Sequence, residues 1–400
     1  MLYTWYCRIY QGAFRLVSPL LPWRKPQLRK GANSLQQLPP LIKARGIDRV
    51  LIVTDKGITS LGLLDSLQEG LKRAGIDHAV YDGTVPNPTM DNIETALALY
   101  HAHQCQGLIA FGGGSPMDCA KGVAARVAWP EKSIPQLRGV LKVRKAIPPL
   151  FAIPTTAGTG SEATVAAVVS NPHTQEKFAI NDPVLIPHVA VLDPLLTVNL
   201  PPHITSTTGM DALTHAIEAY IGQSNTAETR ACSREAVQLI FTHLLDAYAD
   251  GSHLIARTQM QKAAYLAGVA FTRAYVGYVH AIAHTLGGFY GVPHGLANAV
   301  ILPYVLEYYG ECVHQPLAEL ADVAGITAPA DSPAGKAAKM IAAIRELNER
   351  MNIPRKISGI AENDIPLMAQ RALQEANPLY PVPRLLGKDD LVRLYHRIRE

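Results

Sequence analysis

Gly107-Leu-Ile-Ala-Phe-Gly-Gly-Gly-Ser-Pro-Met-Asp118 decides the fold. The apolar run Gly107–Phe111 reads as a buried strand. It runs directly into Gly112-Gly113-Gly114-Ser115, and a helix is expected over 117–127. Glycines at the carboxyl end of a strand let backbone N–H groups approach a phosphate closely. The start of the next helix adds unpaired donors and a partial positive charge. Pro116 falls near the first helical position, where its missing N–H costs nothing. The pattern is not Gly-x-Gly-x-x-Gly, and taken alone the glycine triplet reads equally well as a tight turn.

Working outward, the same alternation recurs. Arg49–Thr54 is a β-branched apolar run, 61–74 an amphipathic helix ended by Gly75, His78–Tyr81 a strand and 90–104 a helix. Repeated strand–helix units imply a parallel sheet covered on both faces. The strand Phe151–Ile153 leads into a second loop, Pro154-Thr-Thr-Ala-Gly-Thr-Gly-Ser-Glu162. Its hydroxyls and glycine N–H groups suit the other side of a pyrophosphate. Two such loops leaving strand ends point to a dinucleotide. Asp55 closes the first strand. A carboxylate there accepts ribose hydroxyls and repels a 2′-phosphate, which favours NAD over NADP; the plain alternative is a turn residue before Gly57. Further strands are expected at 165–170, 177–180 and 189–192.

Past Leu200-Pro201-Pro202 the chain becomes rich in Ala and Leu, with helical periodicity. The expected organisation is an extension at 1–30, an α/β dinucleotide-binding domain at 31–200 and an all-α metal-binding domain at 201–400. The last carries a concentrated set of ligand-type residues. Asp211 and His215 lie four apart, as do His280 and His284, so each pair shares one face of a helix. His294 follows in Pro293-His-Gly295. One carboxylate and several imidazoles suit a divalent transition metal that keeps a position open.

The chain has 400 residues, with a net charge of +4, 48% hydrophobic and 18% charged residues. These values fit a soluble two-domain enzyme. They give no case for nucleic acid or disorder. Five scattered cysteines without a Cys-x-x-Cys suggest reduced thiols and a cytoplasmic protein. Residues 2–21 have the pattern of an amphipathic helix ended by Pro19 and Pro22. Arg8 and Arg15 interrupt its apolar face, so it is neither a membrane span nor a signal peptide. It is expected to pack on its own domain or on a partner subunit. Its aromatics and the following Arg24, Lys25, Arg29 and Lys30 also suit weak contact with a membrane surface.

Four stretches together resemble the iron-containing (group III) alcohol dehydrogenases. They are Gly112–Asp118, Pro154–Glu162, Gly209-Met-Asp-Ala-Leu-Thr-His-Ala-Ile-Glu218, and His280-Ala-Ile-Ala-His-Thr-Leu-Gly287 with Pro293-His-Gly295. The pattern is nearest to lactaldehyde reductase-like members. The resemblance covers about residues 31–400 and implies an active site in a cleft between two domains. It implies Asp211, His215, His280 and His294 as ligands of Fe2+, with Zn2+ also accepted, and His284 as a proton relay. It further implies NAD held by Asp55, Asn87, Gly113, Gly114, Ser115, Asp118, Thr155, Thr156, Thr159 and Lys177. The expected reaction is metal-dependent hydride transfer between a small alcohol or aldehyde substrate and the nicotinamide, in a homodimer. Phe271, Tyr275 and Phe289 are candidates for apolar pocket walls. A zinc-dependent glycerol-type dehydrogenase and, more remotely, a metal-dependent hydrolase are the alternatives.

Overall fold

The computed structural model describes residues 2–172 and 174–400. The chain forms two compact units, Pro22–Asn199 and a second made of Met1–Leu21 with Leu200–Glu400.

The first unit is built on strands β1 (Gln27–Lys30), β2 (Arg49–Val53), β3 (Asp77–Tyr81), β4 (Gly107–Gly112), β5 (Gly139–Val140), β6 (Leu150–Pro154), β7 (Ala166–Asn171), β8 (Glu176–Asn181) and β9 (Val189–Leu192). Six of them form one parallel sheet in the order β1-β9-β6-β4-β2-β3, and β5, β8 and β7 form a small second sheet. Alternate residues of the central strands feed two cores. Leu51, Val53, Leu108 and Ala110 face one; Val50, Ile52, Ile109 and Phe111 face the other. Burial on both faces explains why these strands are continuous apolar runs. The loops after β2, β4 and β6 therefore leave from the same edge of the sheet, at the carboxyl ends of neighbouring parallel strands.

Helix α1 (Leu2–Val17) belongs to the second unit. In the first unit α2 (Leu38–Lys43), α3 (Lys56–Ser60), α4 (Asp65–Arg73), α5 (Met90–Ala102) and α6 (Gly114–Ala128) cover the sheet. The remaining helices are α7 (Pro202–Ile221), α8 (Ala227–Ala249), α9 (Leu254–Ala274), α10 (Tyr278–Tyr290), α11 (His294–Tyr309), α12 (His314–Val323), α13 (Pro333–Arg350), α14 (Ile365–Ala376) and α15 (Lys388–Ile398). Among the described residues no helix is long and apolar enough to cross a membrane.

Two expectations are corrected. The stretch 1–30 is not one extension: α1 joins the helical unit, whereas Gln27–Lys30 is an edge strand in register with Val189–Leu192. Polar, half-exposed Gln27-Leu-Arg-Lys30 carries no apolar run because an edge strand is held by backbone pairing with one neighbour. The helix expected over 61–74 is α4, which starts only at Asp65, and the short α3, not expected, precedes it. Asp55 caps α3 by accepting from Ile58 N at 3.1 Å, and Gly62, at φ +66°, breaks the run.

His188 ties β6 to β9. Its Nδ1 accepts from Leu150 N at 3.1 Å. Burial, with Arg24 and Arg45 nearby, pushes its pKa down to about 4. The unfolded chain takes up this proton near pH ~6.5. Stability from this group is thus full above that pH, falls as pH drops from about 6.5 to about 4, and is flat below. With partial exposure discounted, the loss is about 2 kcal/mol. His188→Asn, which can still accept from Leu150 N, is expected to flatten this slope in urea melts run above and below the window.

Candidate functional site

Helix α7 carries Asp211, His215 and Glu218 at intervals of four and three residues, so all three lie on one face. Helix α10 supplies His280 and His284, and His294 opens α11. Gly295 lets α11 approach α7: a Cβ at this position would lie 2.4 Å from Thr207 O. One ligand atom from each of Asp211, His215, His280 and His294 lies within 4.8 Å of the others. Asp211 Oδ1 is 3.7 Å from His280 Nε2 and 3.5 Å from His294 Nε2. Asp211, His215 and His280 are buried, and the His294 side chain is 26% exposed. One side of the cluster is therefore open and the rest is dry.

Burial opposes the ionised form of Asp211, yet His215, His294 and His280 hold its pKa far below the usual carboxylate range. Burial likewise opposes the imidazolium of His280, but Asp211 and Glu218 push its pKa up to about 9. Positive charge is thus strongly favoured at this point. The Asn298 side chain is a second sign of the same preference. Its Nδ2 donates to Asp211 Oδ1 at 2.7 Å and lies 3.2 and 3.1 Å from Nε2 of His280 and His294. Its Oδ1 is buried without a hydrogen-bond partner. A donor among three converging lone pairs marks where a cation belongs, and the set of three nitrogens and one oxygen fits a divalent iron or zinc.

Glu218 Oε2 is 2.6 Å from His280 Nδ1, and Oε1 accepts from Val279 N at 2.9 Å. This carboxylate fixes the His280 ring with Nε2 turned to the cluster. Glu218→Gln is expected to weaken metal binding about 10–100-fold with the fold intact, measured by competition with a chromogenic chelator. His284 stacks on His294, with ring centroids 5.2 Å apart. Its Nδ1 is 2.6 Å from Glu375 Oε1, which also accepts from the Tyr380 hydroxyl at 2.9 Å. Glu218 and Asn298 were within reach of sequence reasoning, at i+7 from Asp211 and i+4 from His294. Glu375 was not, because no local spacing links it to His284.

The three expected pocket walls part company. Phe271 stacks on His215 at 4.1 Å between centroids, so it lies against the cluster. Tyr275 meets Phe14 of α1 edge-on, and Phe289 lies under the Arg371 guanidinium.

The residues expected to hold a dinucleotide all fall in the first unit. The glycine turn after β4 faces the threonine loop after β6: a Cβ on Gly114 would lie 2.8 Å from Thr159 Cγ2, and one on Gly113 would lie 3.5 Å from Thr156 Cγ2. Thr155 N donates to Gly112 O at 3.0 Å. Asp55 caps the next helix and sits near Gly112, where a Cβ would be 3.5 Å from its Oδ2. Asn87, at φ +58°, donates its N–H to Ser115 Oγ. Asp118 lies in the first turns of α6, just past the glycine turn. Its oxygens accept from Ser161 Oγ at 3.0 Å and Val168 N at 3.1 Å, so it braces the second loop. Burial raises its pKa, and Lys121 and Lys177 nearby oppose the rise.

Lys121, missed in the sequence, is fully buried. Its Nζ reaches Ser161 O and Oγ, Thr164 O and Oγ1, and Ala166 O, all within 2.7–3.0 Å. Asp118 and Glu162 lie close by. Burial lowers the Lys121 pKa to about 8 and raises that of Glu162 to about 7. The second loop is thus moulded around a buried ammonium.

The family model for iron-containing alcohol dehydrogenases matches residues 26–194, and that for the C-terminal part of the Fe-containing alcohol dehydrogenase family matches 205–399. The chain belongs to the iron-containing alcohol dehydrogenase family. It is an alcohol and aldehyde oxidoreductase that works with a metal and NAD. Among relatives of this iron-containing alcohol dehydrogenase, 1,3-propanediol dehydrogenase of Klebsiella pneumoniae is 39% identical over 92% of this chain and 95% of its own. Lactaldehyde reductase of Escherichia coli K12 is 35% identical over 92% and 96%. A crystal structure of 1,3-propanediol oxidoreductase superposes with a TM-score of 0.90 at 37% identity, over 94% of this chain and 99% of that one.

Proposed function

We propose that this enzyme interconverts short primary alcohols or diols and their aldehydes, with Asp211, His215, His280 and His294 holding Fe2+ or Zn2+. The observation that carries the reading is the buried cluster of one carboxylate and three imidazoles, braced by Glu218 and open on one side at His294. We assign NAD to Asp55, Asn87, Gly113, Gly114, Ser115, Thr155, Thr156, Thr159 and Lys177, with Asp118 and Lys121 as braces of the second loop. The Asp55 carboxylate would repel a 2′-phosphate, which favours NAD over NADP.

Held by Asp211, His215, His280 and His294, a divalent metal would supply a Lewis acid for the substrate oxygen, and bound NAD would supply the hydride acceptor or donor. The chain's own residues handle position and protons. Glu218 holds His280, and the Phe271 face against His215 keeps water from one wall. Glu375 holds the Nδ1–H of His284, so Nε2 is the nitrogen that takes up or returns the hydroxyl proton. Tyr380, whose pKa is raised well above its ordinary value by burial and Glu375, stays protonated and keeps donating to Glu375.

Five free cysteines, three of them buried, suit a reducing cytoplasm, and a homodimer is the proposed working form. The test is anaerobic purification, metal analysis, and NAD(H) turnover with ethanol, 1,2-propanediol and 1,3-propanediol and their aldehydes. Metal-dependent turnover with these compounds is expected. Stoichiometric metal and bound NAD without redox turnover on any of them would overturn the substrate assignment.

A further inference from the structure

Helix α1 is held to its unit by one face only. Cys7 and Gln11 are buried; Gln11 Nε2 donates to Pro378 O and Tyr380 O, and Arg8 donates to Val382 O and Pro383 O. The opposite face carries Leu2, Trp5, Tyr6, Ile9, Leu16 and Val17, all exposed. Fourteen large apolar side chains are exposed among the described residues, and eight of them lie between Leu2 and Leu20. A patch this concentrated calls for a partner.

Charge points to which partner. The first acidic residue of the chain is Asp48, whereas Arg8, Arg15, Arg24, Lys25, Arg29, Lys30, Lys43 and Arg45 precede it. Beside the C-terminal half of α1 lies a cavity of about 530 Å³ lined by Phe14, Arg15, Ser224, Arg230, Arg273 and Tyr275. Arg230 and Arg273 are paired with Glu319 and Glu228, at 2.5 and 3.2 Å. Exposed Arg15 makes one long contact, to Gln223 O at 3.4 Å, and has no carboxylate partner among the described residues. The cavity thus combines aromatic walls with an uncompensated guanidinium, the chemistry that receives a lipid phosphate.

A second copy of this helix is a poor occupant. Sixteen residues span about 24 Å, and a face roughly 10 Å wide buries on the order of 500 Å² in a symmetric pair, well under the ~1,200 Å² of a stable interface. Trp and Tyr mixed with aliphatic residues and flanked by cations are instead the composition of a helix lying in a bilayer interface. We propose that α1 is an in-plane anchor that seats the enzyme on an anionic phospholipid bilayer, with the Arg15 cavity taking a headgroup phosphate.

The experiment is flotation of the metal-loaded full-length enzyme with phosphatidylglycerol/phosphatidylcholine vesicles and with phosphatidylcholine vesicles alone. Wild type is expected to float with the anionic vesicles and to remain behind with the neutral ones. Trp5→Glu/Ile9→Glu/Leu16→Glu is expected to cut partitioning at least about tenfold while turnover of a water-soluble alcohol is unchanged. Arg15→Glu should weaken it several-fold and reduce its dependence on salt. Trp5→Gln/Ile9→Gln serves if the triple variant folds poorly. No flotation of wild type, or equal flotation of the glutamate variant, overturns the proposal. So does a variant that sediments as a smaller species when wild type fails to float, since the face would then be a subunit contact.

Discussion

Purified anaerobically, the His294→Ala protein is expected to lose its metal and at least about a thousandfold in kcat/KM. A Lewis acid is worth several kcal/mol of transition-state stabilisation, and ~4 kcal/mol is a factor of about a thousand. His294 is the ligand to remove because its side chain is the most exposed of the four. Truncating His280 instead would leave the buried Glu218 carboxylate without its imidazole, so lost activity and lost stability would be confounded. Metal content, melting temperature of the metal-free proteins and an NADH fluorescence titration separate the effects. Metal loss with unchanged melting and unchanged NADH affinity is the expected result. Full metal occupancy in His294→Ala would remove this residue from the ligand set.

Lys121→Met is expected to destabilise the α/β unit by about 3–5 kcal/mol and to weaken NADH binding with it. The methionine fills the volume but leaves Asp118 and Glu162 buried without their cation, and five acceptors at Ser161, Thr164 and Ala166, at and just past the end of the second loop, lose their donor. Thr155, Thr156 and Thr159 lie on that loop, so stability and affinity are expected to fall together. Lys121→Met/Asp118→Asn should recover part of the loss, because one of the two stranded charges is gone. Denaturant melts of the three proteins give the coupling. A single variant as stable as wild type would mean that the ammonium is incidental to the loop.

Much of this was legible in the chain, for identifiable reasons. A strand buried on both faces must be a continuous apolar run, so β2, β4 and β6 announced themselves, and glycines at their ends announced the loops. The metal ligands were legible because three of the four sit in helical i, i+4 pairs. β1 was invisible because an edge strand is fixed by pairing and its side chains can be polar. Lys121 was hidden for a different reason: a lysine inside a helix reads as solvated, and only the fold reveals the carbonyls closing around it. Glu375 meets His284 from ninety-one residues away, across the packing of α14 on α10, a contact no local pattern encodes.

The amide of Asn298 ties three helices to one point. From α11 its carboxamide reaches Asp211 on α7 and His280 on α10 as well as His294, three of the four ligand residues. A shift of any one of these helices would therefore be felt at a single amide, which makes the ligand set one unit.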